Sequence, residues 1–399
     1  MAKNIAVGID IGTYQVKVLV AENDETSDSG IPRVIGAGMA ESKGLRHGYI
    51  INSIDVVKAL RSAIAQAERT TGFKIRKACL SIGGIGLSSI SGTGAVTISK
   101  ADSEITKIDL ENVIKTAEEN LPKNLTQNKK VLHTIPIAYK IDGKIVFGNP
   151  LGMHGEKLEV KALFVTCIEH HIHDLIQAVE EVGLDVTNII ASPLAGSLVA
   201  ATKAQKIAGC VVANIGSETV SVVVFENNIP ISLETFPIGG TDITNDIALG
   251  LKIPLEEAES IKKKQDGENP YPRKKLEEII VARLSDIFDL IEAHLKKIGR
   301  SGLLPAGIIM TGGGSGIATI EDLARAALRL PSKIAIPNFN EQHFKNGLVK
   351  DSSWMVVFGL CVFCLSSAGE LGFLGINNNK ETSGGIGETL MSLLKKFLP

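Results

Sequence analysis

Two periods organise the apolar and polar positions of this chain. At the N-terminus an apolar run over residues 5–11 meets Gly12 and gives way to alternation, with Val16, Val18 and Val20 on one face. This pattern predicts a buried strand, a tight glycine turn and a second strand. It returns about half a chain later. Residues 8–23 read GIDIGTYQVKVLVAEN and residues 212–227 read VANIGSETVSVVVFEN. Aligned without gaps, Gly12 falls on Gly216, Thr13 on Ser217, and Val16, Val18 and Val20 on Val220, Val222 and Val224, while Glu22-Asn23 repeats as Glu226-Asn227. A hairpin used twice at this distance predicts two duplicated lobes facing each other, not a short-period solenoid.

Between and after the hairpins the period moves between two and 3.6. Helical spacing is predicted over 53–71, with Ser53 as a capping-type residue at its start. It recurs over 109–119, over 170–182 with Gly183 as its stop, over 194–202 after a turn at Ser192-Pro193, and over 276–297. Strand-like stretches fall at 78–82, 88–100, 131–140 and 308–314, the last running into consecutive glycines. Residues 261–276 are basic and broken by proline. Residues 352–369 carry no charge, but serine and glycine at both ends leave the apolar run short of the roughly twenty residues a membrane span requires. A buried core helix is predicted there. Residues 377–385, NNNKETSGG, read as a polar linker.

Composition narrows the class. A chain of 399 residues exceeds one core, so two or more domains are expected. A net charge of −2 excludes a whole-molecule basic field for gripping nucleic acid. Five scattered cysteines and no visible secretory signal indicate a reducing, cytoplasmic setting. Cys361 and Cys364 have metal-like spacing but no second pair, so buried thiols are expected. His170, His171 and His173 beside Glu169 and Asp174 read as the start of a surface helix. Lysines and arginines at 262–264, 273–275, 296–297 and 300 make one region locally basic: a solvated face, or a docking surface for an acidic partner tail.

The chemistry lies in glycine-centred loops. Phosphates need backbone N–H groups brought close, and glycine permits that approach. No Walker A loop is present, since Gly143-Lys144 is followed by Ile145. Two facing hairpin tips serve the same purpose: Gly12 and Thr13 offer amides and a hydroxyl, Asp10 offers a carboxylate for hydrated Mg2+, and Lys17 a returning positive clamp. The turn Thr311-Gly312-Gly313-Gly314-Ser315 suits a flat adenine and its ribose lying against the backbone. Gly239 and Gly240 precede a helix predicted to open at Asp242, whose free amides suit an anion.

These loops, in this order, resemble the actin, heat-shock chaperone and sugar-kinase ATPase superfamily. Within it the chain is similar to the FtsA family of bacterial cell-division proteins. His133-Thr134-Ile135-Pro136-Ile137-Ala138-Tyr139 with Asn149-Pro150-Leu151-Gly152-Met153-His154-Gly155 carries that likeness, as do Gly240-Thr241-Asp242-Ile243-Thr244-Asn245-Asp246-Ile247 and Leu255-Glu256-Glu257-Ala258-Glu259.

The resemblance implies an α/β, actin-like, two-lobed ATPase fold made of duplicated ribonuclease-H-like cores. Residues 1–81 and 165–193 would form the first lobe and 82–164 an inserted small α+β subdomain. Residues 194–235 and 301–375 would form the second lobe, with 236–300 as its subdomain. The polar linker would span 376–385 and an amphipathic helix 386–399. ATP with Mg2+ is implied, in a site of Asp10, Gly12, Thr13, Tyr14, Lys17, Asn214, Gly216, Ser217, Glu218, Gly239, Gly240, Glu259, Lys262, Gly312, Gly313, Gly314 and Ser315, with Asp10 nearest the metal and Glu259 and Lys262 near the ribose and adenine. Self-assembly into filaments, binding of the tail of the tubulin-like protein FtsZ, and contact with other division proteins follow. So does a location on the cytoplasmic face of the membrane at the division site. A pilus-assembly adaptor and a sugar kinase of the same superfold are the alternatives.

One departure bears on catalysis. The superfamily commonly carries an Asp at the second hairpin, where this chain has Asn214. Asparagine cannot act as a base, and Glu218 adds a carboxylate where a γ-phosphate would be repelled. ATP binding with slow or absent hydrolysis is therefore expected. At the C-terminus Ile386, Leu390, Leu393, Leu394 and Phe397 share one helical face, with Met391 and Leu398 counted among the membrane residues. Glu388, Ser392, Lys395 and Lys396 lie opposite, and the lysines suit anionic lipid. This predicts a weak, reversible membrane anchor that a filament strengthens through many copies.

Overall fold

A computed structural model of the chain describes residues 5–23, 31–99, 102–263, 271–335 and 351–366. The linker and the C-terminal amphipathic segment lie outside the described residues. The first hairpin is β1 (Ile5–Ile11) and β2 (Gln15–Glu22), paired antiparallel with Asp10 opposite Lys17, and β3 (Arg33–Glu41) continues it. A short pair, β4 (Leu45–Arg46) and β5 (Tyr49–Ile50), precedes α1 (Ser53–Thr71). Helix α1 buries Val56, Leu60, Ala63, Ile64 and Ala67 at helical spacing. Its cap is Asn52, not Ser53: the Asn52 side chain accepts from the amides of Ile54 at 3.1 Å and Asp55 at 3.4 Å. The helix lies hard on β3, where a Cβ on Gly38 would fall 1.8 Å from the Ala63 carbonyl oxygen.

β6 (Lys77–Ile82) runs parallel to β1, and the chain then leaves the first sheet. It forms β7 (Ser88–Thr97), α2 (Lys107–Glu119), α3 (Lys123–Thr126), β8 (Lys129–Ile141), β9 (Lys144–Val146) and β10 (Lys157–Ile168). These strands make a separate sheet in the order β7-β10-β8-β9. Helix α2 covers it, with Val113 and Ala117 in one buried cluster with Leu158 and Phe164. α2 opens two residues before position 109, because Thr106 and Asp109 cap it reciprocally.

Helix α4 (Glu169–Glu180) and β11 (Asp185–Ala191) return the chain to the first sheet, whose order is β11-β6-β1-β2-β3. α5 (Ser192–Ala200) and α6 (Lys203–Ala208) lead to the second lobe. There β12 (Cys210–Ile215), β13 (Val220–Glu226) and β14 (Ile229–Phe236) are followed by α7 (Gly240–Leu251), α8 (Leu255–Lys263) and α9 (Arg273–Lys297). β15 (Ile308–Thr311), α10 (Ile320–Leu328), β16 (Ser332–Ile334) and α11 (Met355–Leu365) complete it. The second sheet has the order β14-β13-β12-β15-β16, which is the first sheet's order repeated, with β12 in the place of β1. The duplication read from the two hairpins therefore extends to whole sheets.

Several local expectations are corrected. Ser192-Pro193 is the first turn of α5 and not a separate turn, since proline is tolerated where no helical N–H bond is needed. α9 starts at Arg273, directly after Pro272, instead of at 276. His171 is not at the surface: it is buried, with Nε2 2.8 Å from the Gly83 carbonyl oxygen, while His170 and His173 remain exposed. The uncharged segment before Glu370 forms α11 as a buried helix, and among the described residues no helix is long and apolar enough to cross a membrane. Cys361 and Cys364 lie in this helix, and no metal-binding cluster occurs among the described residues.

The two lobes exchange their last helices. α11 follows the second sheet yet packs on β1 and β2, where a Cβ on Gly8 would be 2.6 Å from the Val357 carbonyl oxygen. α5 follows the first sheet and packs on β12 and β13. One buried histidine makes this core acid-sensitive. The Ala191 amide donates to His133 Nε2 at 3.0 Å, so that nitrogen must be unprotonated. Burial lowers the pKa of His133 from 6.5 to about 4. The unfolded chain therefore takes up a proton as pH falls below 6.5 while the folded chain does not until about 4, and stability is lost across that window. Going from pH 7 to pH 5 is expected to cost about 2 kcal/mol through this residue, read as a urea-midpoint shift that His133→Gln reduces, while His294, whose pKa burial also lowers to about 4, retains its own share.

Candidate functional site

Both hairpin tips emerge at the carboxyl ends of central strands, each flanked by an antiparallel strand on one side and a parallel one on the other. In open α/β sheets this is where ligands bind. The tips match in detail. Gly12 donates to the Gln15 carbonyl at 3.1 Å and Gly216 to the Thr219 carbonyl at 2.8 Å. A Cβ on either glycine would come within 2.9 Å of that same oxygen, so both tips need glycine for closeness.

Asp10 is the penultimate residue of β1, and Ser81, the penultimate residue of β6, donates to its Oδ1 at 2.5 Å. Burial raises the Asp10 pKa, against the opposing pull of the Ser81 hydrogen bond and the Lys17 charge. Burial lowers the Lys17 pKa in turn, while Asp10 and Asp351 act the other way. Lys17 Nζ donates to Ser353 O at 3.0 Å and Ser353 Oγ at 2.9 Å, and sits 5.6 Å from the Trp354 ring centroid. It supports Asp10 electrostatically and ties the hairpin to the segment that opens α11.

At the second tip, Asn214 lies next to the glycine turn. Gly312 has φ 89 and ψ 167, and a Cβ there would stand 2.3 Å from Asn214 Oδ1 and 2.5 Å from the Ile215 carbonyl oxygen. A Cβ at Gly313 would meet nothing within 4 Å, so this turn has an open face, whereas Gly314 packs on Ile215. Ser315 is fully buried, and its hydroxyl is engaged by Gly312 O at 2.7 Å and Ser352 Oγ at 2.8 Å. It shapes the turn and offers no free hydroxyl.

The start of α7 differs from the expectation of free amides. The helix opens at Gly240, and its first N–H groups are already taken: Gly240 donates to Gly216 O at 2.9 Å and Thr241 to Ser217 O at 2.6 Å. The Gly239 amide donates to Asp242 Oδ2 at 2.8 Å. Gly239 allows this seating, since a Cβ would be 2.5 Å from the Ser217 carbonyl oxygen. The helix dipole is thus aligned behind the second tip through the tip's own carbonyls.

Lys262 donates to Gly240 O at 2.9 Å and Thr244 Oγ1 at 2.8 Å, and pairs with Glu259 at 2.6 Å. Despite burial, the hydrogen bonds from Lys262 and Thr244 hold the Glu259 pKa down. Tyr14, exposed on the first tip, meets Lys263 of α8, with Nζ 3.0 Å from its hydroxyl and 4.9 Å from its ring centroid. Glu218 reaches across to the turn after β4: its Oε2 accepts from the His47 amide at 2.5 Å. The Thr13 hydroxyl oxygen accepts from the Gly48 amide at 3.1 Å.

Sequence reasoning missed Ser81, His47, Gly48, Ser352 and Ser353 as neighbours of the site. Only Ser81 gave a signal, as a polar residue between Leu80 and Ile82 near the end of a strand. Of the basic residues read as a possible docking face, Lys262 and Lys263 pair with Glu259, Arg273 with Glu277, Lys296 with Glu292 and Arg300 with Glu226, so much of that charge is neutralised locally.

Comparison with known proteins identifies relatives of this arrangement. The family model "Cell division protein FtsA" matches residues 210–359, and that of the SHS2 domain inserted in FtsA matches residues 84–166. The chain is 31% identical to the cell division protein FtsA of Pseudomonas aeruginosa over 352 residues, covering 83% of this chain and 82% of the relative. It is 30% identical to that of Escherichia coli over 356 residues, covering 82% of each. It is 29% identical to that of Bacillus subtilis over 383 residues, covering 91% of this chain and 84% of the relative. Among solved structures, a PilM–PilN type IV pilus biogenesis complex superposes with a TM-score of 0.67 at 17% identity, covering 91% of this chain and 99% of that one. MreB5 of Spiroplasma citri bound to ADP gives 0.50 at 14% identity, covering 90% and 96%. At these identities the solved structures establish the fold, which is actin-like with an inserted SHS2 subdomain.

Proposed function

This chain belongs to the FtsA family of cell-division proteins, and from that premise we propose that it binds ATP with Mg2+ between its lobes, assembles with copies of itself, and tethers FtsZ filaments to the cytoplasmic face of the membrane at the division site. The observation that carries the nucleotide reading is the matched pair of tips, with Gly12 and Gly216 holding the same backbone bond at the carboxyl ends of equivalent strands. The residues fit the group. Gly12, Thr13, Gly216 and Ser217 bring main chain close to a polyanion, and Gly313 leaves the third turn open for a flat base and ribose. Lys262 and Glu259 stand beside Gly240 for the ribose and base. Asp10 suits a hydrated divalent cation, which neutralises phosphate charge when bound. The ADP in MreB5, a protein of the same fold, supports this reading.

Turnover is slow or absent on this reading. Asn214 supplies no base, and the Glu218 carboxylate is directed at His47 instead of at an attacking water. Nucleotide then acts as a structural ligand that favours assembly. The tail segment 386–399 provides the lipid contact: Ile386, Leu390, Leu393, Leu394 and Phe397 would bury one apolar face, with Lys395 and Lys396 toward anionic headgroups. FtsZ and other division proteins are the partners.

Co-sedimentation with anionic liposomes tests the tether. The full chain is expected to carry FtsZ into the pellet, and a chain ending at residue 384 is expected to bind FtsZ but leave it in the supernatant. Undiminished liposome binding by the shortened chain removes the anchor, and failure of the full chain to retain FtsZ removes the partner.

A further inference from the structure

The turn His47-Gly48 is held from three sides. From the first tip, the Thr13 hydroxyl oxygen accepts from the Gly48 amide at 3.1 Å. From the second tip, Glu218 Oε2 accepts from the His47 amide at 2.5 Å, and Glu218 O lies 3.1 Å from His47 Nδ1, which must donate because a carbonyl only accepts. From the root of the inserted subdomain, the Ile85 amide donates to His47 O at 3.2 Å. The turn is backbone-specific as well. His47 has φ 49 and Gly48 φ 88, and a Cβ on Gly48 would lie 2.5 Å from the Gly84 Cα.

Both chain crossings into the inserted sheet converge here. Residues 83–87 lead out to β7, with the Leu87 amide donating to Gly84 O at 3.1 Å. On the return, His171 of α4 binds Gly83 O through Nε2 at 2.8 Å and packs at a tilt against Tyr49, ring centroids 4.5 Å apart. A rotation of the second tip against the first therefore acts on the segment through which the chain enters the insertion, which is also held by Ser89 against Leu233 and by His133 against Ala191.

We propose that Glu218 is a positioning residue that couples closure of the two tips to the root of the inserted subdomain, by way of His47 and Ile85. The coupling rests on the nucleotide reading above for what drives it: negative charge arriving at the second tip repels the Glu218 carboxylate outward, toward the His47 amide. Parting of the lobes withdraws Glu218, frees the turn, and loosens the His47–Ile85 bond. Cleft occupancy thereby sets how firmly the inserted subdomain is held.

Amide hydrogen exchange on the full chain, with and without Mg-ATP, tests this in Glu218→Ala and Glu218→Gln. Without nucleotide, Ile85 is expected to exchange about tenfold faster in Glu218→Ala, the loss of one charge-assisted bond, with Glu218→Gln between the two because its carbonyl oxygen still accepts. Leu80 in the core of β6 is expected to be unchanged, which separates coupling from general destabilisation; should Glu218→Ala raise Leu80 as well, the Gln variant carries the comparison. Mg-ATP is expected to slow Ile85 in the natural sequence and not in Glu218→Ala. Exchange at Ile85 that ignores Glu218 in both conditions, or ATP protection of equal size in the variant, overturns the proposal. A natural chain that binds no ATP in a parallel dialysis defeats the nucleotide reading instead, and the nucleotide-free comparison still decides the link.

Discussion

Gly312→Ala is expected to cost about 3–5 kcal/mol of folding stability and to weaken ATP binding by more than about tenfold. At φ 89 and ψ 167 the backbone occupies a region that is essentially glycine's alone. The added methyl would also stand 2.3 Å from Asn214 Oδ1 and 2.5 Å from the Ile215 carbonyl oxygen. The second contact is main chain in β12, which is fixed by pairing to β13 and β15, so it does not give way cheaply. Relief comes only by parting β15 from β12, which displaces the second tip. Gly313→Leu isolates binding from folding. Its side chain would enter open space, so stability is expected to stay within about 0.5 kcal/mol while ATP affinity falls, because the open face is filled. Thermal melts and equilibrium dialysis on both variants check the pair; equal behaviour of the two removes the distinction between strained and open glycines in this turn.

Gly359→Ala provides a test of sign. In an exposed helix interior, alanine for glycine stabilises by about 1 kcal/mol. Here α11 crosses α5 so closely that the new Cβ would stand 1.9 Å from the Ala195 carbonyl oxygen and 2.5 Å from its carbon. The overpacking is expected to reverse the sign and leave a net loss of about 2–3 kcal/mol, measured as a lower urea midpoint with an unchanged slope. The effect is large because α5 and α11 are the helices each lobe lends to the other, so separating them opens the molecule at its centre. A stabilised Gly359→Ala shows that the two helices do not meet this way.

The hairpins were legible because their strands are apolar runs, buried almost throughout, and because the glycine recurs at the same step, Gly12 and Gly216. Those signals are local, and they sufficed to imply two equivalent sheets. Helix α11 was legible from its uniform apolarity, which only a buried helix or a membrane span explains. Helix ends were less so: α2 opens two residues and α9 three residues before the start that spacing indicates, because Thr106 and Pro272 set the start. What periodicity does not encode is which distant polar group satisfies which. Lys17 and Ser353 are 336 positions apart, and Glu218 and His47 are 171 apart. The helix expected to open at Asp242 with free amides for an anion opens instead at Gly240, and the tip carbonyls of Gly216 and Ser217 take the amides of Gly240 and Thr241. His171 read as a surface residue because its neighbours His170 and His173 are, whereas its own face of α4 turns onto Gly83.

All of the functional reading depends on a triphosphate held between Gly12 and Gly216. Equilibrium dialysis of the full chain against labelled Mg-ATP measures this directly. One ATP retained per chain, released by excess unlabelled ATP and lost in Gly216→Val, is the outcome that the paired tips require. No retention at millimolar ATP, or retention that Gly216→Val leaves unchanged, places the nucleotide elsewhere or nowhere on this protein.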